Sequence, residues 1–398
     1  MSAASINVAS LQSLGAVERR ETIVRAGAEV ERGGLVAVPT ETAYVLVGSA
    51  RNAATVERLI SIARGAGSSR VRSPVWLAPM LDGAGGVERE LREVGGVGPF
   101  TSRRHRRLLH RLTPGPVIVL VEPDDAIALE QVIKLLGLCN GAADDAGRIA
   151  FRVSGHAAAA ALAARVAGPI ICVELAHGGE EARTADEALA SLAAHGIDSA
   201  LVLDDGPAPK RAGATVLLLR ASGGHEILRE GAYEARFIDK QVRQRVLFVC
   251  TGNTCRSPMA ESIGAWLAAR ASRTGGGGDA STAFEFSSAG VGAVPGAGMT
   301  PEAAAALRGL GIPPLPRPHS ATTLTRRAIA EADIILAMTR SHAAAVLELE
   351  PGATDKVQTL DPRGRDIADP IGQGSRVYTE TAERIRELIS GWIKELQS

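Results

Sequence analysis

The chain has 398 residues, enough for two domains or three that each bury a core. Hydrophobic residues make up 45% and charged residues 22%, and 44 Lys+Arg balance 44 Asp+Glu. That is ordinary for a globular protein, and it removes net charge as an argument for a nucleic-acid or membrane partner. No stretch approaches the roughly 18 apolar residues of a membrane span, and the first residues lack the basic start and apolar run of a signal peptide. Cys139, Cys172, Cys250 and Cys255 show neither disulfide-framework density nor paired C-x-x-C metal spacing. The expectation is a reducing cytoplasm, with no membrane partner and no metal site.

In chain order, "GGLVAVPTETAYVLVGSA" (33–50) begins as a buried strand and breaks at Pro39 into a Thr-rich turn. "TSRRHRRLLHRLTPG" (101–115) carries Arg103, Arg104, Arg106 and Arg107, which read either as an RNA-facing patch or as the solvated face of a helix. No aromatic residue is interleaved there to stack bases. "TPGPVIVLVEP" (113–123) is a turn and a second strand, and 147–175 reads strand, Ala-rich helix, strand. Residues 198–233 read as two or three strands with turns at Gly-Pro and Gly-Gly. "EARFIDKQVRQ" (234–244) is polar and aperiodic, so 236–244 is expected to link a domain at 1–235 to one at 245–398.

From 245 the pattern changes. "RVLFVC", "FEFSSAG", "ADIILAMT" and "KVQTL" are strands alternating with helical runs, the last being "YTETAERIRELISGWIKEL". Such alternation predicts a doubly wound, four-stranded parallel sheet with helices on both faces. "RTGGGGDAS" (273–281) reads as a flexible surface loop.

"VLFVCTGNTCRSPM" (246–259) carries the clearest chemistry. Cys250 ends a strand and Pro258 suits the first turn of the helix that follows. Between them Gly252 and Asn253 tolerate the positive φ that turns successive amides inward as an anion nest. Thr251, Gly252, Asn253, Thr254, Cys255, Arg256 and Ser257 would then cradle a phosphate, with the Arg256 fork on two of its oxygens. The helix start favours the thiolate of Cys250, to which Ser257 could donate a hydrogen bond. Cys255 fits two readings, a partner that traps an oxidised Cys250 or a small buried side chain beneath the loop.

This loop resembles the signature of low-molecular-weight protein tyrosine phosphatases, and the likeness extends over about 245–398 through "SSAGVGAVPG", "HSATTLT" and "ADIILAMT". The resemblance implies a cofactor-free enzyme acting on a phosphorylated protein, with Cys250 attacking phosphorus to form a phosphocysteine and Arg256 stabilising the equatorial oxygens. It also implies a general acid in an Asp-Pro pair. Asp369-Pro370 stands in a Gly-rich loop before the last helix, as in the family, whereas Asp361-Pro362 follows a strand end, so Asp369 is expected in that role. Ile371 and Gly372 stand where tyrosine-specific members carry an aromatic wall. The run "CTGNTCRSPMAE" is similar to the protein arginine phosphatase branch, whose threonine, here Thr254, is associated with phosphoarginine preference. Phosphoarginine is favoured and phosphotyrosine stays open.

Over about 20–235, four segments, "GGLVAVPTETAYVLVGSARN", "LTPGPVIVLVEP", "IAFRVSGH" and "LDDGPAPKRAGATV", resemble the YrdC-like threonylcarbamoyl-AMP synthases. The resemblance implies a twisted mixed sheet (α+β) with a deep cleft, to which Thr40, Thr42, Arg64, Arg152 and Thr215 would contribute. The charged machinery departs from the family. Lys-x-Arg is absent, with Arg64 and Arg70 the nearest substitutes, and Ser-x-Asn is replaced by Glu174-Leu175-Ala176. Ala214 stands for a serine and Val45 for a glycine. A catalytically degenerate module that binds a ligand or partner is expected. The alternative is a working synthase using ATP and magnesium, threonine and bicarbonate, with nucleotide or RNA bound. His156, His177 and His342 lack metal-ligand spacing and are read as surface or capping residues.

Overall fold

A computed structural model of the chain describes residues 6–65, 75–77, 103–135, 143–144, 146–222, 224–274 and 284–397. It divides into two compact units, Met1–Val242 and Arg243–Ser398. Arg70, Cys139 and most of 273–281 lie outside the described residues.

The first unit is built on a mixed sheet. Its strands are β1 (Asn7–Ser10), β2 (Val36–Pro39), β3 (Tyr44–Ser49), β4 (Val75–Leu77), β5 (Val117–Val121), β6 (Ile149–Arg152), β7 (Ile170–Glu174), β10 (Leu201–Asp204), β11 (Thr215–Leu219) and β12 (His225–Arg229). A small separate hairpin supplies β8 (Ala176–His177) and β9 (Glu180–Glu181). The spatial order is β1-β10-β2-β3-β7-β4-β6-β5-β11-β12. The Thr-rich turn after Pro39 reverses the chain into β3, which pairs antiparallel with β2, Val36 opposite Val47. That second strand is hidden in the sequence because "YVLVGS" is buried on both faces and so lacks alternation.

One segment differs from the sequence reading, and a second takes the helical form that was one of its two readings. Residues 235–242 are not an open connection but a helix (Ala235–Val242) in which Ile238 and Val242, one turn apart, are both buried in the core of the first unit. The basic segment is a helix (Arg103–Leu112) that buries His105, Leu108, Leu109 and Leu112. Arg111 of that helix donates to the Gln241 carbonyl at 2.7 Å, so part of its basic character ends helix 235–242 rather than facing solvent.

The second unit is a parallel sheet of β13 (Gln244–Cys250), β14 (Phe284–Gly290), β15 (Ile334–Ala337) and β16 (Val357–Thr359), in the order β14-β13-β15-β16. Alternate residues of β13 serve opposite faces. Val246, Phe248 and Cys250 pack with Met259, Ile263, Ile385 and Ile389, whereas Leu247 and Val249 pack with Leu324, Ile329 and Val346. Both faces are covered, as the strand–helix alternation predicted. The chain leaves β13 towards β14 on one side and later returns to β15 on the other, so the carboxyl end of β13 is a topological switch point, where open α/β sheets bind ligands.

Candidate active site

Cys250 is the last residue of β13, and the helix α8 (Arg256–Thr274) opens at Arg256 with Pro258 in its first turn. The five residues between form a tight loop around the Cys250 sulfur. Asn253 takes the left-handed conformation, φ 54°, where its short polar side chain is tolerated. Its amide nitrogen points back to Cys250 Sγ at 3.3 Å. Gly252 does not adopt positive φ, contrary to expectation, so Asn253 alone makes the turn.

Asn253 is buried and saturated. Its Nδ2 donates to Ser257 Oγ and to Ser288 Oγ, each at 2.9 Å, its Oδ1 accepts from the Thr322 amide at 2.8 Å, and its carbonyl accepts from His319 Nε2 at 2.6 Å. Ser288 Oγ in turn donates to Glu261 Oε2 at 2.6 Å. Because Ser257 Oγ accepts from Asn253, its own proton has two acceptors within reach, Cys250 Sγ at 2.9 Å and the Ala289 carbonyl at 3.4 Å, of which the sulfur is the nearer.

Gly290, at the end of β14, presses on the same loop. A Cβ there would lie 2.4 Å from the Thr251 carbonyl oxygen and 2.9 Å from the Asn253 amide nitrogen. Only glycine lets β14 approach so closely.

Arg256 is 4% exposed. Its Nη1 donates to the Ile367 carbonyl at 2.9 Å, and its Nη2 reaches Thr251 Oγ1 at 3.4 Å and pairs directly with Asp369 Oδ2. Among the described residues no group accepts from its Nε. Asp369 is half-exposed in the loop before the helix α12 (Ser375–Gln397), where Gln373 Nε2 donates to its carbonyl at 2.6 Å.

Asp361 has a different environment. It is 2% exposed and accepts from the Arg363 amide at 2.9 Å, and from Arg384 and Arg365 at 2.8 Å each. The backbone hydrogen bond from Arg363, with the two guanidinium groups, outweighs desolvation and lowers its pKa to about 2.

Cys255 is buried, with its sulfur 3.4 Å from Tyr378 Oη and 3.5 Å from Thr300 Oγ1. Thr254 is braced by the Thr300 amide, which donates to its carbonyl at 2.9 Å.

Sequence reasoning missed His342, read as surface or capping. It is 5% exposed, with Nε2 2.9 Å from Thr251 Oγ1 and Nδ1 2.8 Å from Thr339 Oγ1. Burial and the nearby Arg256 charge lower its pKa. The correction has a simple cause. "MTRSH" places Thr339 as the cap of the helix Arg340–Leu349, and the first turn then swings His342 towards the loop. His156 is a cap, its Nδ1 accepting from the Ala158 amide, and His177 is exposed.

In the first unit, Thr42 and Arg152 come together around Glu41. Arg152, 1% exposed, donates from Nη2 to Glu41 Oε2 at 2.9 Å and to Thr42 Oγ1 at 3.1 Å, and Ser154 Oγ donates to the same carboxylate at 2.9 Å. Burial pushes the Glu41 pKa up, but Arg152 and these donors prevail and it is lowered. Glu174 Oε1 lies 3.8 Å from Arg152 Nη1, and its Oε2 accepts from Arg229 at 3.3 Å. Thr40 closes the turn by donating to the Ala43 carbonyl, and Thr215 Oγ1 is bonded to the Tyr233 backbone. Arg64 is exposed near the end of the helix Ala53–Gly65. Among the described residues no group of three His, Cys, Asp or Glu could hold a metal, and no helix is long and apolar enough to cross a membrane.

Residues 245–398 match the family model described as low molecular weight phosphotyrosine protein phosphatase. Residues 28–231 match the Sua5/YciO/YrdC model described as telomere recombination. The protein-arginine-phosphatase of Bacillus subtilis (strain 168) is 34% identical over 156 residues, covering 38% of this chain and 96% of that protein. The protein-arginine-phosphatase of Geobacillus stearothermophilus is 36% identical over 158 residues, covering 39% and 97%. The probable low molecular weight protein-tyrosine-phosphatase EpsP of Ralstonia nicotianae is 30% identical over 154 residues, covering 38% and 96%. The solved YwlE arginine phosphatase from Geobacillus stearothermophilus is 35% identical, covers 39% of this chain and 93% of that one, and superposes with a TM-score of 0.33.

Proposed function

Because the chain belongs to the low molecular weight phosphotyrosine protein phosphatase family through residues 245–398 and to the Sua5/YciO/YrdC family through residues 28–231, we propose that it is a cysteine-dependent phosphoprotein phosphatase that hydrolyses phosphoarginine. The observation that carries this reading is the convergence of Cys250, Arg256 and Asp369 on one loop at the switch point of the parallel sheet.

The phosphoryl group sits on the loop amides and takes donors from Arg256, whose fork is anchored by the Ile367 carbonyl. The Arg256–Asp369 pair opens as phosphate oxygens replace the carboxylate on the guanidinium. Cys250 Sγ attacks phosphorus and the P–N bond breaks, and Asp369 delivers the proton that the departing guanidine nitrogen needs. Water then attacks the phosphocysteine, Asp369 takes its proton, and phosphate leaves as the thiolate reforms. Ser257 favours that leaving thiolate in the second step through the hydrogen bond oriented by Asn253. No cofactor is required. Asp361 is unsuited to proton delivery, since two arginines and a backbone amide hold it as a structural anion.

Phosphoarginine is favoured by the absence of an aromatic side chain after Asp369-Pro370, where Ile371 is 61% exposed, and by Thr254 in the loop, as part of the run shared with the arginine phosphatase branch.

The first unit is proposed to be a ligand- or partner-binding module rather than a synthase. Arg152, the buried cation available to meet an anionic substrate, is flanked by Glu41 and Glu174, and a second carboxylate in that place repels a triphosphate. Phosphate release from phosphoarginine and phosphotyrosine peptides of one sequence, with Cys250→Ser as control, tests the substrate. Faster turnover of phosphoarginine supports the proposal, and preference for phosphotyrosine overturns it.

A further inference from the structure

Beside the phosphate loop, and lined by none of Cys250, Arg256 and Asp369, lies an apolar pocket of about 210 Å³ between α8 and the helix α9 (Pro301–Gly309). Met299, Leu307, Ile312 and Leu315 supply its apolar wall. Arg308 and Arg317 also line it, and among the described residues no acidic residue does. Both arginines are exposed, and neither makes an ion pair or a side-chain hydrogen bond among the described residues. A pocket with an apolar floor and two unpaired guanidinium groups is complementary to an apolar molecule with one anionic head, and the planar forks suit a carboxylate. At the packing density of about 0.75 found in protein interiors, this volume holds roughly eight to ten carbon atoms.

Two parts of its wall also brace the loop. His319 lines the pocket and donates from Nε2 to the Asn253 carbonyl at 2.6 Å. Met299 lines it too, and the next residue, Thr300, donates its amide to the Thr254 carbonyl at 2.9 Å and places its hydroxyl 3.5 Å from Cys255 Sγ. We propose that this pocket is an effector site for a small carboxylate amphiphile, whose binding fixes His319 and residues 299–300 and thereby the loop around Cys250. Only the consequence for turnover rests on the phosphatase reading. The site and its coupling to the loop do not.

The probe is octanoate, titrated calorimetrically into the full chain, with 1-octanol as the neutral control. The loop is read by the rate at which iodoacetamide alkylates Cys250, which requires no phosphatase activity. The expected result is saturable binding at one site, at least tenfold weaker in the Arg308→Gln/Arg317→Gln double variant and abolished by Ala304→Trp, which fills the pocket. Saturating octanoate slows alkylation of Cys250 at least threefold in the wild-type chain. The double variant lies on the surface, so it remains informative should Ala304→Trp fail to fold. Equal binding of 1-octanol, binding unchanged in the double variant, absence of saturable binding, or an unchanged alkylation rate at saturation would each overturn the proposal.

Discussion

Ser257 Oγ stands 2.9 Å from Cys250 Sγ while accepting from Asn253 Nδ2 at the same distance. With the amide on its oxygen, the hydroxyl proton is left with the sulfur at 2.9 Å and the more distant Ala289 carbonyl at 3.4 Å as acceptors. In Ser257→Ala the sulfur loses this donor, and a hydrogen bond to a charged group contributes about 1.5–3 kcal/mol. Turnover is expected to fall by about tenfold or more, with hydrolysis of the phosphocysteine becoming the slow step. Alkylation of Cys250 by iodoacetate at mildly acidic pH, compared with wild type, checks the effect on the thiolate without any substrate.

Gly290→Ala tests the close approach of β14. The added Cβ would meet backbone atoms of Thr251 and Asn253 rather than a flexible side-chain end. Loop geometry must therefore shift, and a misplaced catalytic group costs on the order of 100-fold. Phosphatase activity and affinity for orthovanadate are expected to fall together while the circular dichroism spectrum is retained. Full activity would show that the loop does not depend on this contact.

His342→Ala removes the imidazole that holds Thr251, the residue also reached by Arg256 Nη2. The expected effect is a loss of kcat of about tenfold, as for other groups that position a reacting centre. His342→Gln, which can still hydrogen-bond Thr251, should recover part of it. Burial, with the nearby Arg256 charge, lowers the pKa of His342.

Asp361 makes a stability prediction with a definite sign. Its folded-state pKa is lowered to about 2, so the unfolded chain binds its proton more readily. The stabilisation it provides is full above the ordinary carboxylate range and is lost as pH falls through about 4 towards 2. Asp361→Asn should lower the urea midpoint at neutral pH and leave a weaker dependence on acid than wild type. An unchanged midpoint would mean that Arg365 and Arg384 do not hold the C-terminal helix through this carboxylate.

In the first unit, Arg152→Ala would leave Glu41 and Glu174 without the buried cation between them, a change of about 3–5 kcal/mol by analogy with other broken buried pairs. If instead the cleft works as a synthase, ATP, threonine and bicarbonate together will yield pyrophosphate. The expected result is none, with no ATP-dependent shift in melting temperature.

The loop from Cys250 to Pro258 was legible because its function is local. A strand end, a residue tolerant of positive φ, an arginine and a helix start all fall within nine consecutive positions. Its supports were not legible. Ser288, Gly290, His319, Thr322 and His342 come from another strand, a loop and a helix and are common residue types, and the parallel register of β13 with β14 and β15 brings them to the loop. Helix 235–242 was missed for another reason. Only two of its large apolar residues face the core, Ile238 and Val242, one turn apart, while Phe237 is exposed and Arg236, Lys240, Gln241 and Arg243 surround them. So short a stripe does not register as periodic. For the first unit, the scaffold could be read from its buried strands, and the loss of Lys-x-Arg and Ser-x-Asn was visible directly. That Glu174 would stand beside Arg152 required β4 to lie between β7 and β6, antiparallel to the first and parallel to the second.

The central claim is that Cys250 carries the phosphoryl group during turnover. The most direct measurement is acid quench of Asp369→Ala mixed with a phosphoarginine peptide, followed by mass spectrometry of the peptide containing Cys250. This peptide is expected to gain one phosphoryl group, with the adduct absent in Cys250→Ser and decaying faster when Asp369 is restored. Phosphate release without any adduct on Cys250, together with activity retained in Cys250→Ser, would contradict it.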